Sequence, residues 1–396
     1  MKPIRFTSWA IWILITGVML LRIVVSPNGC TSPDSVFYLE SAQNLSTGQG
    51  YFITFEGVKT FNAIWPMGYP LSIVLVHSTT GLNLFWASKV VNYLCLLLCW
   101  SYIQRRYGDK AWFVSLPFCT GTMIKIASYT WSETQFITLL LIWVLALYQL
   151  FLSPKKLYSA MLVVSGFGMF ITRYIGGFSV LVTSLITIFF ALKKERTKSL
   201  LFGLLTILEG LLMAGYLAYN YNQTGTWAGG GIRDALPNES FSEYGLMVLR
   251  GVFNEWWLVK DTDFQRPDPL FLIGVVVQLV VGWKAIQHRH TIQKLAGASM
   301  TLPAVLVITA LSYAFFLMVA RRNTAFMDLD FRYFAPMTLL LWLAFALWMI
   351  APEQAVFFKK TYRLFTALFL LSVIDALIPT SISLADTLRL VQEKIF

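Results

Sequence analysis

The chain has few charged residues for its length. Only 13% of its 396 residues are charged and 57% are hydrophobic, whereas about a quarter of the residues of an ordinary globular protein are charged. So apolar a composition excludes a soluble fold. Apolar runs of about 17 to 25 residues, long enough to cross a bilayer as helices, recur from end to end. We therefore predict an all-α polytopic membrane protein.

Cysteine and histidine are scarce as well. There are four cysteines and three histidines, and Cys95, Cys99 and Cys119 lie inside apolar runs. This distribution provides neither a disulfide framework nor a CxxC metal motif. Two of the histidines fall in an HRH tripeptide, which we interpret as part of a basic loop. Pro/Ser-rich linkers and internal repeats are also missing, so we predict a single membrane domain over residues 1–396.

The apolar runs predict a bundle of about eleven transmembrane helices. A further run, GYPLSIVLVHSTTG, has only about 14 residues and is better interpreted as a re-entrant or interfacial helix. The first run is interpreted as an uncleaved span, because the residues SPNG before Cys30 lack the pattern of a cleaved signal. The predicted spans are 9–25, 84–103, 111–127, 132–151, 158–172, 175–192, 199–219, 269–287, 296–319, 334–350 and 362–379.

The charged residues divide between the two sides of the membrane. The net charge is +11, from 31 basic and 20 acidic residues. Most basic residues fall in short loops on one side, which predicts a cytoplasmic N-terminus and argues against a nucleic-acid partner. Nearly all the acids lie on the outer side, as do the two longest loops, 26–83 and 220–268. Because long loops are usually functional, we predict an active site on the outer face of the cell membrane, with 26–83 as the catalytic first outer loop.

The stretch SPDSVFYLESAQNLSTGQGY follows the first span directly. Ser32 suits a helix N-cap, Pro33 the first turn, and Asp34 the next position, where the helix dipole favours a carboxylate. The apolar and polar residues that follow alternate as in an amphipathic helix lying in the membrane interface. The sequence thus predicts a carboxylate held at the membrane surface, although the chemistry of a helix start alone also accounts for Asp34.

Five motifs, in order, carry a resemblance to a known family. They are D-x-x-x-Y-L-x-x-A-x-N-L-x-x-G-x-G-Y with the following WPMGYPL, then YTWSETQFITLLL, TRYIGG, YNYNQTGTWAGG and DFRYFAPMTLLL. In this order they resemble the GT-C-fold glycosyltransferases, especially the branch of protein mannosyltransferases and lipid A aminoarabinose transferases. The motifs touch most of the chain.

The resemblance implies the transfer of a sugar from a polyprenyl-phosphate-linked donor. Asp34 matches the first-loop catalytic base of that family. Glu133 matches a second catalytic acid, although many relatives have Asp there, which leaves its role open. Some GT-C enzymes bind a divalent metal through paired acids, but Asp34 is followed by Ser35 and Val36. We therefore expect no metal and no other cofactor.

Sugar transfer from such a donor needs few groups. The leaving phosphate is already stable as an anion, so no second carboxyl group is needed as an acid. One base and a cationic phosphate clamp suffice. The candidates for phosphate binding are Arg173, Arg332, Tyr333 and, more weakly, Arg233. Arg173 could instead be a snorkelling interfacial residue, and Arg332 could form a structural salt bridge with Asp328 or Asp330.

The expected function is therefore an inverting hexosyl- or pentosyltransferase. Its expected partners are the donor, a glycan, lipid or protein acceptor, and membrane lipids. One alternative is a surface-glycan polymerase or ligase, for which the first-loop Asp is the discriminating feature. Another is a lipid-linked-sugar transporter or flippase, which should show inverted repeats. Glu209 lies in an apolar run and is interpreted either as a helix-packing contact or as a site residue.

Overall fold

A computed structural model describes residues 4–229, 240–257, 275–280, 282–283, 301–324, 329 and 331–377. Over these residues the chain is helical apart from one two-stranded hairpin, β1 (Phe52–Phe55) and β2 (Val58–Phe61). The helices are α1 (Ile4–Val25), α2 (Pro33–Ser46), α3 (Gly68–Thr80), α4 (Leu84–Tyr107), α5 (Ala111–Ser115), α6 (Gly121–Ser128), α7 (Glu133–Leu152), α8 (Lys156–Thr172), α9 (Phe178–Leu192), α10 (Arg196–Thr224), α11 (Phe241–Trp256), α12 (Leu302–Asn323), α13 (Phe331–Met349) and α14 (Ala355–Leu377).

Several of these helices have the length and composition of membrane spans. Within the described part of the chain, six helical stretches qualify: Leu84–Cys119, Glu133–Leu152, Tyr174–Leu192, Arg196–Thr224, Leu302–Asn323 and Arg332–Met349. The apolar helices Trp9–Val25 and Lys156–Thr172 are shorter. The predicted all-α polytopic class is confirmed. The predicted number of eleven is not, since the expected span 269–287 falls largely outside the described residues.

The predicted span 111–127 is not one continuous helix. α5 passes into a 3-10 turn at Leu116–Cys119, and α6 begins only at Gly121. Pro117 explains the break, because its ring removes a backbone donor and crowds the carbonyl one turn earlier. Thr120 then caps α6 by accepting a hydrogen bond from the Met123 N–H at 3.3 Å. The second half of this broken helix ends at Ser128, beside the first outer loop.

Helix α7 lies at the centre of the bundle. It packs against α4, α6, α8 and α12. Its side chains Phe136 and Trp143 are fully buried in the main apolar core. Burial of this kind stabilises by roughly 1.5–3 kcal/mol for each large apolar side chain. A helix held on so many sides gives the residues at its first turn a fixed position.

The first outer loop is an ordered unit. Helix α2 begins at Pro33 with Ser32 as its N-cap, as predicted. The hairpin that follows pairs Phe52 with Phe61 and turns at Glu56 and Gly57. The φ angles of these two turn residues are 49° and 80°, as in a type I′ turn. This hairpin is not predicted from the sequence, in which only a Gly-rich turn is evident.

Helix α3 packs against α2. It has 13 residues, so it is only about 20 Å long and too short to cross a bilayer. This length agrees with the prediction of a re-entrant or interfacial helix. Tyr38 and Ala42 of α2 pack with Tyr69 and Ile73 of α3 and with Ala87 of α4 in a small buried cluster. The loop is therefore fixed to a membrane helix through its own apolar face.

A glycine in the 3-10 turn Tyr174–Gly177 gives a test of the packing between α8 and α9. A Cβ atom on Gly176 would lie 2.5 Å from both the Met169 carbonyl carbon and the Phe170 nitrogen, whereas the nearest atoms to a Cβ on Gly177 are ring atoms 3.5 Å away. We expect Gly176→Ala to lower the free energy of unfolding by about 1–3 kcal/mol, because backbone atoms must move apart. Thermal unfolding of the purified protein in detergent measures this change. Gly177→Ala is the matched control, and equal melting temperatures for the two variants would contradict the prediction.

Candidate active site

Four charged side chains meet at one end of the bundle. They come from the start of α2 (Asp34), the start of α7 (Glu133), the residue after α8 (Arg173) and the start of α13 (Arg332). Arg332 Nη1 lies 2.5 Å from Asp34 Oδ2. Arg332 Nε donates to Glu133 Oε1, which also forms an ion pair with Arg173 Nη1. Two carboxylates and two guanidinium groups thus form one continuous series of ion pairs.

The four side chains differ in their access to solvent. The side chain of Glu133 is 1% exposed, that of Arg332 10%, that of Arg173 15% and that of Asp34 23%. An isolated charge that is buried so deeply is strongly unfavourable. The two carboxylates and the two guanidinium groups therefore stabilise one another by forming ion pairs. Asp34 is the one of the four that an incoming molecule reaches most easily. Glu133 lies beneath the two arginines and holds them together.

Aromatic rings surround the two arginines. The Arg332 guanidinium carbon lies 4.4 Å from the centre of the Trp131 ring, whose other face stacks on Tyr129 at 4.2 Å. The Arg173 guanidinium carbon lies 5.5 Å from the centre of the Tyr333 ring. Cations over aromatic faces are attracted by the ring quadrupole. These rings therefore fix the planes of both guanidinium groups and shield them from water.

Hydrogen bonds attach the start of α2 to the segment before α7. Trp131 Nε1 donates to the Ser32 hydroxyl at 2.7 Å, and the Ser35 hydroxyl donates to the Thr130 carbonyl at 3.0 Å. The hydroxyl groups of Tyr38 and Ser132 share a hydrogen bond of 2.9 Å. Because these bonds surround Asp34 in sequence and in space, the position of its carboxylate relative to α7 is well determined.

Lys89 of α4 also links the segment before α2 to the segment before α7. Its ammonium group is buried and donates to the carbonyl groups of Cys30 at 3.0 Å and Ser128 at 2.9 Å. Both acceptors are backbone carbonyls, and Ser128 is the last residue of α6, where the helix dipole favours a cation. One buried cation thus links the turn before α2 to the end of α6.

Tyr38 and Arg173 are both held in their protonated forms. Burial, with the carboxylates of Glu133 and Asp34, raises the pKa of the Tyr38 hydroxyl well above its usual value. Burial by itself lowers the pKa of Arg173, but the Glu133 carboxylate and neighbouring tyrosines outweigh it, and the net pKa is raised. Tyr38 is thus a neutral hydroxyl and Arg173 a permanent cation across the physiological range.

The structure brings five of the six predicted site residues together. Asp34, Glu133, Arg173 and Arg332 are in direct contact, and Tyr333 packs on Arg173. The snorkelling interpretation of Arg173 is wrong, because its guanidinium group is turned inward to Glu133. The predicted site residue Arg233 and the two predicted partners of Arg332, Asp328 and Asp330, lie outside the described residues.

Glu209 is not part of this cluster. It is fully buried in α10, and Trp143 Nε1 of α7 donates to its Oε1 at 3.3 Å. A Cβ atom on Gly166 of α8 would overlap the same carboxyl group. Of the two interpretations made from the sequence, the helix-packing contact is the one that the structure supports.

Three residues of the site are not predicted from the sequence. Trp131 stands two residues before Glu133, Tyr38 lies one helical turn after Asp34, and Lys89 is a single cation in the apolar run of α4. Only Lys89 carried a signal of its own, since a lone charge within a membrane helix usually has a specific partner. Among the residues that the structure describes, no three His, Cys, Asp or Glu side chains are grouped so as to hold a metal ion.

Neither a family model nor a curated protein matches the chain. Two crystal structures of ArnT from Cupriavidus metallidurans are similar to it in fold. The apo structure has a TM-score of 0.53 at 12% sequence identity, and the match covers 91% of this chain and 63% of the ArnT chain. The structure bound to undecaprenyl phosphate has a TM-score of 0.54 at 14% sequence identity, and the match covers 91% of this chain and 64% of the ArnT chain.

The chain therefore spans just under two thirds of the length of these ArnT structures. At so low an identity the similarity establishes the fold and leaves donor and acceptor to be inferred. It confirms the fold that the sequence motifs lead us to expect: the chain has the GT-C fold of the ArnT structures.

Proposed function

We propose that this protein is a membrane glycosyltransferase that transfers a sugar from a polyprenyl-phosphate-linked donor to an acceptor hydroxyl. The observation that carries the proposal is the accessible Asp34 carboxylate held beside two buried arginines at one end of a membrane-helix bundle. A base next to a cationic pocket is the arrangement that transfer from a phosphate leaving group requires. The ArnT structure with bound undecaprenyl phosphate supports a donor of this lipid class.

Asp34 acts as the general base in this reaction. Its carboxylate accepts the proton of the acceptor hydroxyl while the oxygen attacks the anomeric carbon. The bond from that carbon to the phosphate oxygen breaks, and its electron pair leaves with the polyprenyl phosphate. Because attack occurs on the face opposite the leaving group, the anomeric configuration is inverted. The phosphate needs no proton to leave, so a second carboxyl acid is not required.

Arg332 and Arg173 stabilise the departing phosphate. A guanidinium group offers several N–H donors in a plane that matches the oxygens of a phosphate. Arg332 is paired with Asp34. A donor phosphate competes for Arg332, and its binding releases the Asp34 carboxylate to act as a base. The donor therefore binds before the acceptor.

Glu133 acts through the arginines rather than on the substrates. Its carboxylate is buried and its Oε1 serves both guanidinium groups. We assign it the positioning of Arg173 and Arg332, while Tyr333 shields Arg173. The distribution of basic residues supports an outer-face location for this site, since Arg105, Arg106 and Lys155 lie at the opposite end of the bundle.

The proposal is tested with donor lipid from cells. Membranes of a strain that lacks the gene accumulate the unused polyprenyl-phosphate-linked sugar, which is extracted and supplied to the purified protein in lipid nanodiscs. The expected result is release of free polyprenyl phosphate, with the sugar appearing on an acceptor extracted from the same cells. Movement of the intact lipid-linked sugar across a vesicle membrane without cleavage would instead indicate a transporter, and joining of preassembled glycan chains a polymerase or ligase.

The enzyme is expected to work without a divalent metal. Both carboxylates of the site are neutralised by arginines, so the positive charge that a metal supplies in other phosphate-transfer sites is already present. Transfer by the purified protein should be unchanged after incubation with a chelator. Loss of transfer that magnesium or manganese restores would contradict this prediction.

A further inference from the structure

An apolar cavity of about 410 Å³ lies within the bundle, and the four residues of the ion-pair cluster do not line it. Most of its lining comes from the halves of six helices that lie farther from the candidate active site, although Thr138, Leu141 and Ile142 belong to the first half of α7. Leu98 and Tyr102 line it from the second half of α4, Leu343 and Leu347 from the second half of α13, and Tyr158 from the first turn of α8. The candidate active site is formed by the opposite ends of α8 and α13. Most of the cavity therefore lies toward the opposite end of the bundle.

This cavity opens sideways at the apolar surface of the bundle. On α4, Leu98 is 53% exposed and Tyr102 is 37% exposed. On the central helix α7, the lining residues Leu145 and Gln149 are half-buried, although most of this helix is packed on several sides. An apolar cavity that opens sideways in a membrane protein can bind an acyl chain. The chain supplies the dispersion contacts that the side chains lining an empty cavity lack.

Basic side chains surround the mouth of the cavity. Arg105 and Arg106 follow Tyr102 by three and four residues, so they lie on the next turn of the same face of α4. Lys155 is the N-cap residue of α8 and Lys156 is its first residue, and the Tyr158 N–H donates to the Lys155 carbonyl at 3.0 Å. All four basic residues are exposed. The acid nearest to them in sequence is Asp109. Because the four basic residues outnumber it, this rim has a clear excess of positive charge.

We propose that this cavity binds one anionic phospholipid. An acyl chain fills the space between α4, α7 and α8, and the phosphate-containing headgroup lies on Arg105, Arg106, Lys155 and Lys156. Basic residues next to a membrane attract anionic headgroups strongly. A phospholipid fits better than a polyprenyl phosphate bound at Arg332, because the basic residues at the cavity lie at the other end of helices about 30 Å long. The inference concerns a second lipid and does not depend on the proposed reaction.

Lipid titration followed by native mass spectrometry tests the proposal. The probes are phosphatidylglycerol and phosphatidylcholine with the same acyl chains, added to the delipidated protein. The wild type should bind one phosphatidylglycerol roughly tenfold more tightly than phosphatidylcholine. In the double variant Arg105→Gln, Arg106→Gln this preference should be lost, since each basic residue near the membrane surface contributes to attraction of an anionic headgroup. The matched control is Lys193→Gln, Lys194→Gln, a pair of exposed lysines at the same end of the bundle.

A second pair of variants tests the position of the acyl chain. Leu145→Trp fills the cavity, whereas Leu185→Trp adds the same bulk to an exposed position of α9 outside it. Only the first should abolish the single tight site. Photo-crosslinking of a diazirine-labelled phosphatidylglycerol to the wild type needs no variant and should mark peptides around Leu98 and Tyr158.

Four results would overturn the assignment. The first is equal affinity of the wild type for the two phospholipids. The second is tight phosphatidylglycerol binding that survives Leu145→Trp, and the third is crosslinking confined to other helices. Displacement of phosphatidylglycerol by undecaprenyl phosphate at equal concentration would likewise show that the cavity belongs to the donor.

Discussion

An Asp34→Asn enzyme is expected to transfer sugar at least about a hundredfold more slowly than the wild type, since this is the usual contribution of a general base. Asparagine keeps the size of the side chain but does not accept a proton from the acceptor. Donor binding should be retained or strengthened, because Arg332 no longer shares its charge with a carboxylate. The measurements are the initial rate of polyprenyl phosphate release and the binding of the donor to the purified protein.

Glu40→Gln is the matched control for this experiment. Glu40 lies on the same helix, and its Oε1 accepts a hydrogen bond from the Thr54 N–H at 2.8 Å, which glutamine also accepts. This variant should transfer sugar at the rate of the wild type. Undiminished transfer by a well-folded Asp34→Asn protein would end the assignment of Asp34 as the base. Loss of donor binding in that variant would show that Asp34 acts on the donor.

Replacement of Arg332 by glutamine should abolish donor binding and also weaken the fold. Arg332 forms ion pairs with both Asp34 and Glu133. Without it a buried carboxylate loses a partner, and breaking a buried ion pair in this way costs about 3–5 kcal/mol. Thermal unfolding in detergent and a donor-binding titration measure the two effects separately. Arg196→Gln, at an exposed position in the other half of the molecule, is the control.

A second substitution separates stability from function at this site. In the double variant Arg332→Gln, Glu133→Gln, the buried carboxylate that lost its partner is neutral, so much of the lost stability should return. Donor binding should not return, because the guanidinium group is still missing. Recovery of both properties would mean that Arg332 serves only the fold. Recovery of neither would mean that its contact with Asp34 is the stabilising one.

The parts of the fold that the sequence predicts are those with local signals. The start of α2 follows from Ser32, Pro33 and Asp34, and the first turn of α7 places Glu133 as expected. The break at Pro117 also had a local signal, but the apolar run around it favoured one continuous helix. The hairpin was missed because its strands have only four residues each and its turn, Glu56–Gly57, lacks the usual Asn or Asp.

The site itself depends on contacts that no local pattern contains. The predicted topology places Asp34, Glu133, Arg173 and Arg332 on the same side of the membrane. It did not predict that Arg332 pairs with a carboxylate 298 positions away in the sequence and with Glu133 at the same time. Local patterns record which side of the membrane a residue faces, whereas such pairings depend on how the helices are arranged around α7.

The buried Lys89 has a consequence for how this site opens and closes. Since its ammonium group binds the turn before α2 and the last turn of α6 together, neither segment can come away without the other. Residues 30–38 and 128–134 should therefore open and reclose as one cooperative unit on the native-state landscape. Asp34 and the shielding Trp131 would be lost and regained in the same event. During thermal fluctuations the site should therefore be either complete or fully open. A partly open site in which the arginines alone are exposed is avoided.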